Sequence, residues 1–286
     1  MRSLTKPSLF PLLNSGSILA IAIWVLVFFS ILSVGLYNMV SSQIRLVRSF
    51  QERTLCPYLA KSAYLYFGLE LTKEEAVYNT LYELRKKREV ELGRGKFIYT
   101  LLDEESKINI NKAPKEILAL LPGLDEDVAG EIIDLRNNLG GSFQIKEEIL
   151  LLEDITEEIY NKFKDFITVY GDGKVNLNTA SVEVMKALGF REDLINGLLE
   201  FRAGPDGKEG TEDDGVFGVV QDDIFKLNKY IPESQRTDLL NAQARDLITT
   251  DSKNFSLIIE TEILNRPAMK YTIITDGSKI MRWIEQ

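Results

Sequence analysis

Residues 17–40 read SILAIAIWVLVFFSILSVGLYNMV, 24 residues without one charge, entered directly after Gly16. At about 1.5 Å rise per residue, a helix of that length spans a hydrocarbon core of roughly 30 Å. Only a short, weakly basic stretch, MRSLTKPSLFPLLNSG, precedes it, and Arg45 and Arg48 follow. A secretory signal has an apolar region of about 7–15 residues and an A-x-A-like site behind it. This run is longer and no such site follows, so a retained transmembrane helix over 17–40 is expected.

Beyond the run, roughly 240 residues remain, enough for one large domain or two small ones. Charged residues make up 27% of the chain with a net charge of −9, which suits a folded, soluble remainder. The acidic balance argues against a nucleic-acid partner, because phosphate binding needs clustered Lys and Arg. Cys56 stands alone, so no intrachain disulfide framework exists. Histidine is absent, which excludes Ser-His-Asp, Cys-His, His-ligated zinc and imidazole acid–base chemistry. No catalytic residue and no small-molecule substrate are expected, and the chain reads as a non-enzyme.

Residues 41–69 continue the helical pattern, with Ile44, Val47, Phe50 and Leu55 among Arg45, Arg48, Glu52 and Arg53. Pro57 is expected to kink or end that helix, since an interior Pro costs about 3 kcal/mol. Residues 74–89 read as a second helix, and the stretch from Arg88 to Ile110 as strands reversing at Gly93-Arg94-Gly95. The last segment, from Asn254, alternates apolar and polar residues in three runs, with turns at Asn265-Arg266-Pro267 and Asp276-Gly277-Ser278. A helical block of roughly 135 residues separates these strand groups. The fold class is therefore α+β: one small antiparallel sheet with a large α-domain inserted into it.

That block repeats itself. One copy opens Ile108-Asn109-Ile110-Asn111-Lys112-Ala113-Pro114, the other Val175-Asn176-Leu177-Asn178-Thr179-Ala180-Ser181. Each continues with a short helix and a tight turn, at Pro122-Gly123-Leu124-Asp125 or Gly189-Phe190-Arg191-Glu192. A second helix then reaches Arg136 or Arg202, and Phe143 or Phe217 closes the unit. These units resemble the helix-hairpin-helix module. In DNA-binding versions a Gly-rich turn presents backbone N–H groups to phosphate at a helix N-terminus. Here Asp125, Glu126 and Asp127, and in the second copy Glu192 and Asp193, stand where phosphate would approach, so both turns read as structural.

The second copy carries an insertion, AGPDGKEGTEDDGVFGVVQDD. Between 206 and 223 it holds seven carboxylates, at Asp206, Glu209, Glu212, Asp213, Asp214, Asp222 and Asp223, against Lys208. Interspersed glycines let carbonyl oxygens converge beside carboxylates, and Ca²⁺ takes about 6–8 such hard oxygens. Without His or Cys, transition metals are poorly served. Asp206, Asp213 and Asp214 are the first candidate ligands, with Glu209 and Thr211 beside them and Asp222 and Asp223 closing from the far side. The D-x-D-x-D-G spacing of an EF-hand is absent. A solvated acidic turn is the alternative.

The chain as a whole resembles the K-type minor pseudopilin family of type II secretion systems, general secretion pathway protein K. Asn14-Ser15-Gly16-Ser17 resembles a prepilin junction, with Ser17 as the new N-terminus. Most pilins carry Glu five residues into the mature chain; that position is Ile21 here, and the K-type characteristically lacks the Glu. The paired I-N-x-N-type openings, the GPDGKEGTEDD loop and the terminal Arg282-Trp283-Ile284-Glu285 complete the likeness. The resemblance implies a pilin-like fold in segments: leader 1–16, N-terminal helix 17–70, β-domain 71–107 and 246–286. Between them, 108–245 is the inserted α-domain with two helix-hairpin-helix-like (SAM-like) repeats.

It also implies a function. Such a subunit is cut between Gly16 and Ser17 by prepilin peptidase and methylated. It crosses the inner membrane once, N-terminus cytoplasmic, with its bulk in the periplasm. There it caps the pseudopilus tip with I- and J-type minor pseudopilins above the major pseudopilin and helps initiate assembly for export of folded proteins. In a pilus the Glu is thought to neutralise a neighbour's N-terminal amine in apolar packing. A subunit with nothing above it meets no such amine, which suits Ile21. A type IV pilus minor pilin, a membrane-anchored helix-hairpin-helix DNA-uptake receptor and a plain signal-anchor remain as alternatives.

Overall fold

The structure, a computed structural model, describes residues 15–73, 78–218, 230–231 and 233–286. The chain divides into two compact units between Leu55 and Cys56. The first is the membrane-length part of helix α1, which runs Ser15–Leu71. Its apolar residues, Trp24 and Phe28 among them, are exposed, and its mean hydropathy reaches 2.7 over the most apolar window. It is long and apolar enough to cross a membrane.

Helix α1 does not end at Pro57, which lies inside it. The cost of the lost hydrogen bond is about 3 kcal/mol. Offsetting it, Cys56, Leu59, Ala60, Ala63 and Phe67 are all buried, at the spacing that aligns them on one face. Each fully buried large side chain contributes roughly 1.5–3 kcal/mol, so packing outweighs the proline.

That face packs in one core with a five-stranded antiparallel sheet. Strands β1 (Arg88–Leu92) and β2 (Gly95–Asp103) form a hairpin. Strands β3 (Ile108–Asn109), β4 (Ile167–Thr168), β5 (Val175–Asn176) and β6 (Ile248–Thr249) are two-residue pieces within the α-domain. The sheet resumes with β7 (Phe255–Ile263), β8 (Arg266–Thr275) and β9 (Ile280–Glu285), in the order β1-β2-β7-β8-β9. Strand β2 pairs with β7 over its whole length, from Gly95↔Ile263 to Asp103↔Phe255. Everything from 104 to 254 is thus inserted between two neighbouring strands. Period-two alternation sends Phe97, Tyr99, Leu257, Ile259, Tyr271 and Ile273 to the helix side. Gly95 is required at its place, since a Cβ there would lie 2.7 Å from Leu59 Cδ1 and 3.1 Å from the Glu262 carbonyl.

Two local expectations need correction. The helix expected over 74–89 is only α2, Leu81–Arg85, while residues 74–77 lie outside the described residues. Thr80 caps it through the Glu83 N–H at 3.1 Å. Arg88 then joins β1, its guanidinium held by Glu70 and Glu83 and by the Tyr78 and Tyr99 rings. The turn expected at Asn265-Arg266-Pro267 falls instead at Leu264 and Asn265, both at positive φ, as a two-residue hairpin loop requires. Pro267 sits in β8 beyond the Tyr271–Thr275 stretch that β9 pairs, where a proline is tolerated.

The inserted domain has its own core. Its first repeat comprises β3 (Ile108–Asn109), α3 (Lys115–Leu118), α4 (Glu126–Asn138), a 3₁₀ turn over Lys146–Leu151, α5 (Glu157–Phe163) and β4 (Ile167–Thr168). The second comprises β5 (Val175–Asn176), α6 (Val182–Ala187), α7 (Glu192–Arg202), α8 (Glu233–Ala244) and β6 (Ile248–Thr249). In each, the opening dipeptide pairs in parallel with a closing Ile-Thr: Ile108↔Ile167 and Asn109↔Thr168, then Val175↔Ile248 and Asn176↔Thr249.

Candidate functional site

The repeat openings owe their I-N-x-N pattern to backbone bookkeeping. Asn109 Oδ1 accepts the Asn111 N–H at 2.9 Å, and Asn176 Oδ1 that of Asn178 at 3.0 Å, so the first Asn fixes the turn. The second Asn reaches across the unit. Asn111 accepts the Phe143 N–H at 2.7 Å and donates to its carbonyl at 3.0 Å; Asn178 does the same to Phe217 at 2.7 and 2.9 Å. Arg136 Nη1 donates to the Ile110 and Ala113 carbonyls, and Arg202 Nη1 to those of Leu177 and Ala180. Both arginines tie a second helix back to its own opening and face inward rather than toward a phosphate.

The hairpin turns are already neutralised. Asp125 Oδ1 accepts the N–H groups of Asp127 and Val128 at 3.0 Å each, the donors a phosphate would use. In the second turn Arg191 pairs with Asp238 at 2.9 Å.

The acidic loop between α7 and Gly218 is wound tightly. Gly204 has φ +60, and a Cβ there would lie 2.1 Å from the Asp213 carbonyl. Asp213 accepts the Asp206 N–H at 3.1 Å and the Thr211 hydroxyl at 2.8 Å. The Thr211 bond is the main cause holding the Asp213 carboxyl below its usual range. Asp214 accepts the N–H groups of Gly210 and Thr211, and Asp206 that of Lys208. Glu209 pairs at 2.8 Å with Arg202, which is 4% exposed. Among the described residues no three acidic side chains converge as a metal group. Asp222 and Asp223 lie outside the described residues, and Gly16 and Ser17 fall in the first turn of α1. The loop's oxygens are hard donors with lone pairs to spare, which fits Ca²⁺ in chemistry.

Sequence reasoning missed a buried carboxylate knot. Asp103, Glu104 and Glu105, each at most 5% exposed, follow one another where β2 gives way to the inserted domain. Asp103 accepts from Asn176, from Ser252 at 2.6 Å and from the Thr179 hydroxyl, all in or beyond the second repeat. Glu104 accepts Thr168 at 2.6 Å from the first repeat, Ser256 at 2.5 Å from β7, and Lys107. Glu105 accepts the main chain and side chain of Asn254. Burial pushes Asp103 up, and burial with nearby Asp103 pushes Glu105 up to about 7. Burial acts on Glu104 too, but Lys107 and the Ser256 and Thr168 hydroxyls prevail and hold it low. An acidic triplet at a strand end was the available signal, yet its composition alone looks like a solvated turn.

With this geometry in place, the likenesses fall on the same parts. Residues 103–168 match the helix-hairpin-helix motif family model. The chain is 27% identical over 126 residues to endonuclease/exonuclease/phosphatase family domain-containing protein 1 of Xenopus laevis and 28% identical over 123 residues to that of Danio rerio. Those matches cover 36% of this chain and only 23% and 22% of the relatives, so the chain spans less than a quarter of their length. Among solved structures, a chain of the GspK-GspI-GspJ complex from the enterotoxigenic Escherichia coli Type 2 Secretion System superposes with TM-score 0.60 at 15% identity. The superposition covers 85% of this chain and 99% of that one. The fold is therefore pilin-like: a long N-terminal helix, an antiparallel sheet, and an inserted helix-hairpin-helix domain.

Proposed function

We propose that the protein is a minor pseudopilin of a type II secretion system, placed at the pseudopilus tip with I- and J-type partners. The carrying observation is the insertion of a two-repeat α-domain between paired strands β2 and β7, in a fold superposing along 99% of a GspK-GspI-GspJ complex chain. Helix α1 suits assembly: beyond the membrane-length run it still exposes Tyr58, Leu65 and Leu69 opposite the face that packs on the sheet. An apolar stripe left open on a helix seeks other helices. The bulky inserted domain suits a terminal position, because it would obstruct a subunit stacked above.

Under this reading prepilin peptidase cuts between Gly16 and Ser17, and the chain stays in the inner membrane with its bulk in the periplasm. Its part is assembly without catalysis. Ca²⁺ would be held by Asp206, Thr211, Asp213 and Asp214, joined by Asp222 and Asp223, while Glu209 serves Arg202. The occupied hairpin turns weigh against DNA. Co-expression with I- and J-type minor pseudopilins tests the role: a stable three-way complex is expected. Failure of the chain to join them, or an N-terminus not starting at Ser17 after exposure to the peptidase, would reject it.

A further inference from the structure

The inserted domain and the sheet meet along a seam rather than through a shared core. Their two hydrophobic cores have no residue in common. The chain passes between them twice, inward after Asp103 and back before Phe255. The two passages run side by side, since the Glu104 N–H donates to the Asn254 carbonyl at 3.0 Å. Adjacent crossings make one hinge line, about which a domain can turn while each core stays packed.

Buried cross-links gather on that line. Asp103 takes Asn176 and Thr179 from the second repeat and Ser252 from the returning passage. Glu104 takes Thr168 from the first repeat, and the Glu105 carbonyl accepts the Asn176 N–H at 2.8 Å. Away from the line the contact is open. A cleft of about 450 Å³ separates Glu147 and Tyr170 of the first repeat from Ile258, Thr272 and Ile284 on the sheet. The ion pair of Arg282 with Glu147 bridges it at 3.2 Å, but those side chains keep 27% and 40% of their exposure, and such pairs hold weakly.

Glu105 sits where a proton decides whether the seam holds. Its two oxygens accept from Asn254, one from the main-chain N–H at 3.0 Å and the other from the side-chain amide. Asp103, two residues back, is the charged group that acts on it. Gly171, from the link between the repeats, and Asn254, from the returning passage, face it without charge, and Lys107 is engaged by Glu104. Two buried carboxylates this close ionise together only at a cost, so burial and Asp103 push Glu105 up to about 7. With its proton on, Glu105 can donate to Asn254, whose amide turns over to accept. With the proton gone, a second buried negative charge stands beside Asp103 and is relieved once water reaches it.

We propose that the Asp103–Glu105 knot is a proton-controlled latch on this hinge: the proton keeps the inserted domain closed on the sheet, and its loss lets the domain swing outward and widen the cleft. In the open form Glu105 is solvated and returns to about 4.3, so the closed form binds the proton more tightly. The proton's contribution to closure is complete below about pH 4 and is lost as pH rises through about 7. Asp103, also raised by burial, acts in the same sense; Glu104, held low, acts only as pH falls below its ordinary range. The latch stands apart from the assembly role: it needs no partner, and a rigid inserted domain would leave that role intact.

The test uses the full-length protein in detergent micelles with Cys56→Ala, which removes the lone thiol. Nitroxide spin labels go on Lys162→Cys in α5 and Lys270→Cys in β8, both exposed. Double electron–electron resonance should show a second, longer distance whose weight against the closed one grows roughly twentyfold from about pH 5.5 to about pH 7.5. Glu105→Gln should hold that ratio constant across the range. Arg282→Met, which removes the outer ion pair, should enlarge the open fraction at each pH and keep the same slope. A label pair within the sheet domain, Lys61→Cys in α1 with Lys270→Cys, should keep one distance throughout. A single distance for the Lys162 pair at every pH, an equal slope in Glu105→Gln, or movement of the Lys61 pair along with the Lys162 pair would overturn the latch.

Discussion

Asn178 meets both main-chain polar groups of Phe217, accepting its N–H at 2.7 Å and donating to its carbonyl at 2.9 Å. A side-chain amide is the one group that offers donor and acceptor in that spacing, so it substitutes for a missing strand partner. Asn178 also donates to the Thr250 carbonyl at 3.0 Å and is 3% exposed. Replacing Asn178 by Ala strands these groups in the core and should cost about 2–4 kcal/mol. The equivalent Asn111→Ala, at a half-buried site, should cost less. Urea unfolding of both variants checks the order, and a neutral Asn178→Ala would contradict the stapling role.

Arg202 and Glu209 form the counterpart test in the same repeat. Arg202 is 4% exposed, and Glu209 Oε1 lies 2.8 Å from its Nη2. Glu209→Gln removes the stronger of the two carboxylate charges that offset the buried guanidinium, leaving Asp214. Allowing for the partial exposure of Glu209, the loss should be about 2 kcal/mol. A double-mutant cycle with Arg202→Met measures it; additive effects would show that the pair is not coupled.

The two unit openings were legible because the I-N-x-N-type pattern repeats with its partners in the same order, Arg136 then Phe143 or Arg202 then Phe217, the acidic insertion lengthening only the step to Phe217. The insertion between β2 and β7 was legible from alternation on either side of a helical block. Pro57 misled because local propensity says nothing about Ala60, Ala63 and Phe67 packing on the sheet. The Asp103–Glu105 knot was illegible for a related reason. Its satisfying partners, Thr168, Asn176, Ser252 and Asn254, are 64 to 149 residues away in sequence.

That knot predicts a pH dependence. Glu105 has a folded pKa of about 7, against about 4.3 unfolded. The folded chain thus keeps a proton that the unfolded chain releases. The stability this group contributes is fully present below about pH 4 and is lost as pH rises toward 7. Asp103, also raised, acts in the same sense; Glu104, held low, acts oppositely and only as pH falls below its unfolded pKa. Glu105→Gln should flatten stability against pH between about 5 and 7.5, by at most about 1.4 kcal/mol per pH unit. Parallel wild-type and variant curves would refute the assignment.

The hairpins should not bind duplex DNA at physiological salt. Asp125 already occupies the N–H groups at one helix start, and Asp238 neutralises Arg191 at the other. Nonspecific DNA binding also depends on released counterions, which a chain of net charge −9 displaces poorly. Electrophoretic mobility shifts are expected to stay blank at micromolar protein. A shift that weakens steeply with salt would reopen the uptake-receptor reading.

Calcium should stabilise the loop that follows α7. Asp213 and Asp214 accept loop N–H and hydroxyl groups, and Asp206 lies close enough for its own N–H to reach Asp213. Loop-internal bonds leave several carboxylate lone pairs unused, and Glu212, Asp222 and Asp223 add further negative charge nearby in sequence. A divalent cation relieves that repulsion, and binding to the folded chain alone raises stability as its free concentration passes the dissociation constant. The melting temperature should therefore climb with Ca²⁺ and fall back with chelator. Mg²⁺ should act weakly, because it demands a near-ideal octahedral shell and sheds its waters reluctantly, whereas Ca²⁺ accepts irregular sets of carboxylate and carbonyl oxygens. Asp213→Asn with Asp214→Asn should abolish the response to Ca²⁺. It should also loosen the loop, since Asp214 holds the Gly210 and Thr211 N–H groups. Asp206→Asn alone keeps those bonds, so it separates ion loss from loop loss: a reduced Ca²⁺ response with an unchanged apo melting temperature is expected. Calorimetry without a Ca²⁺ binding isotherm up to millimolar concentration would reduce the loop to a solvated acidic turn.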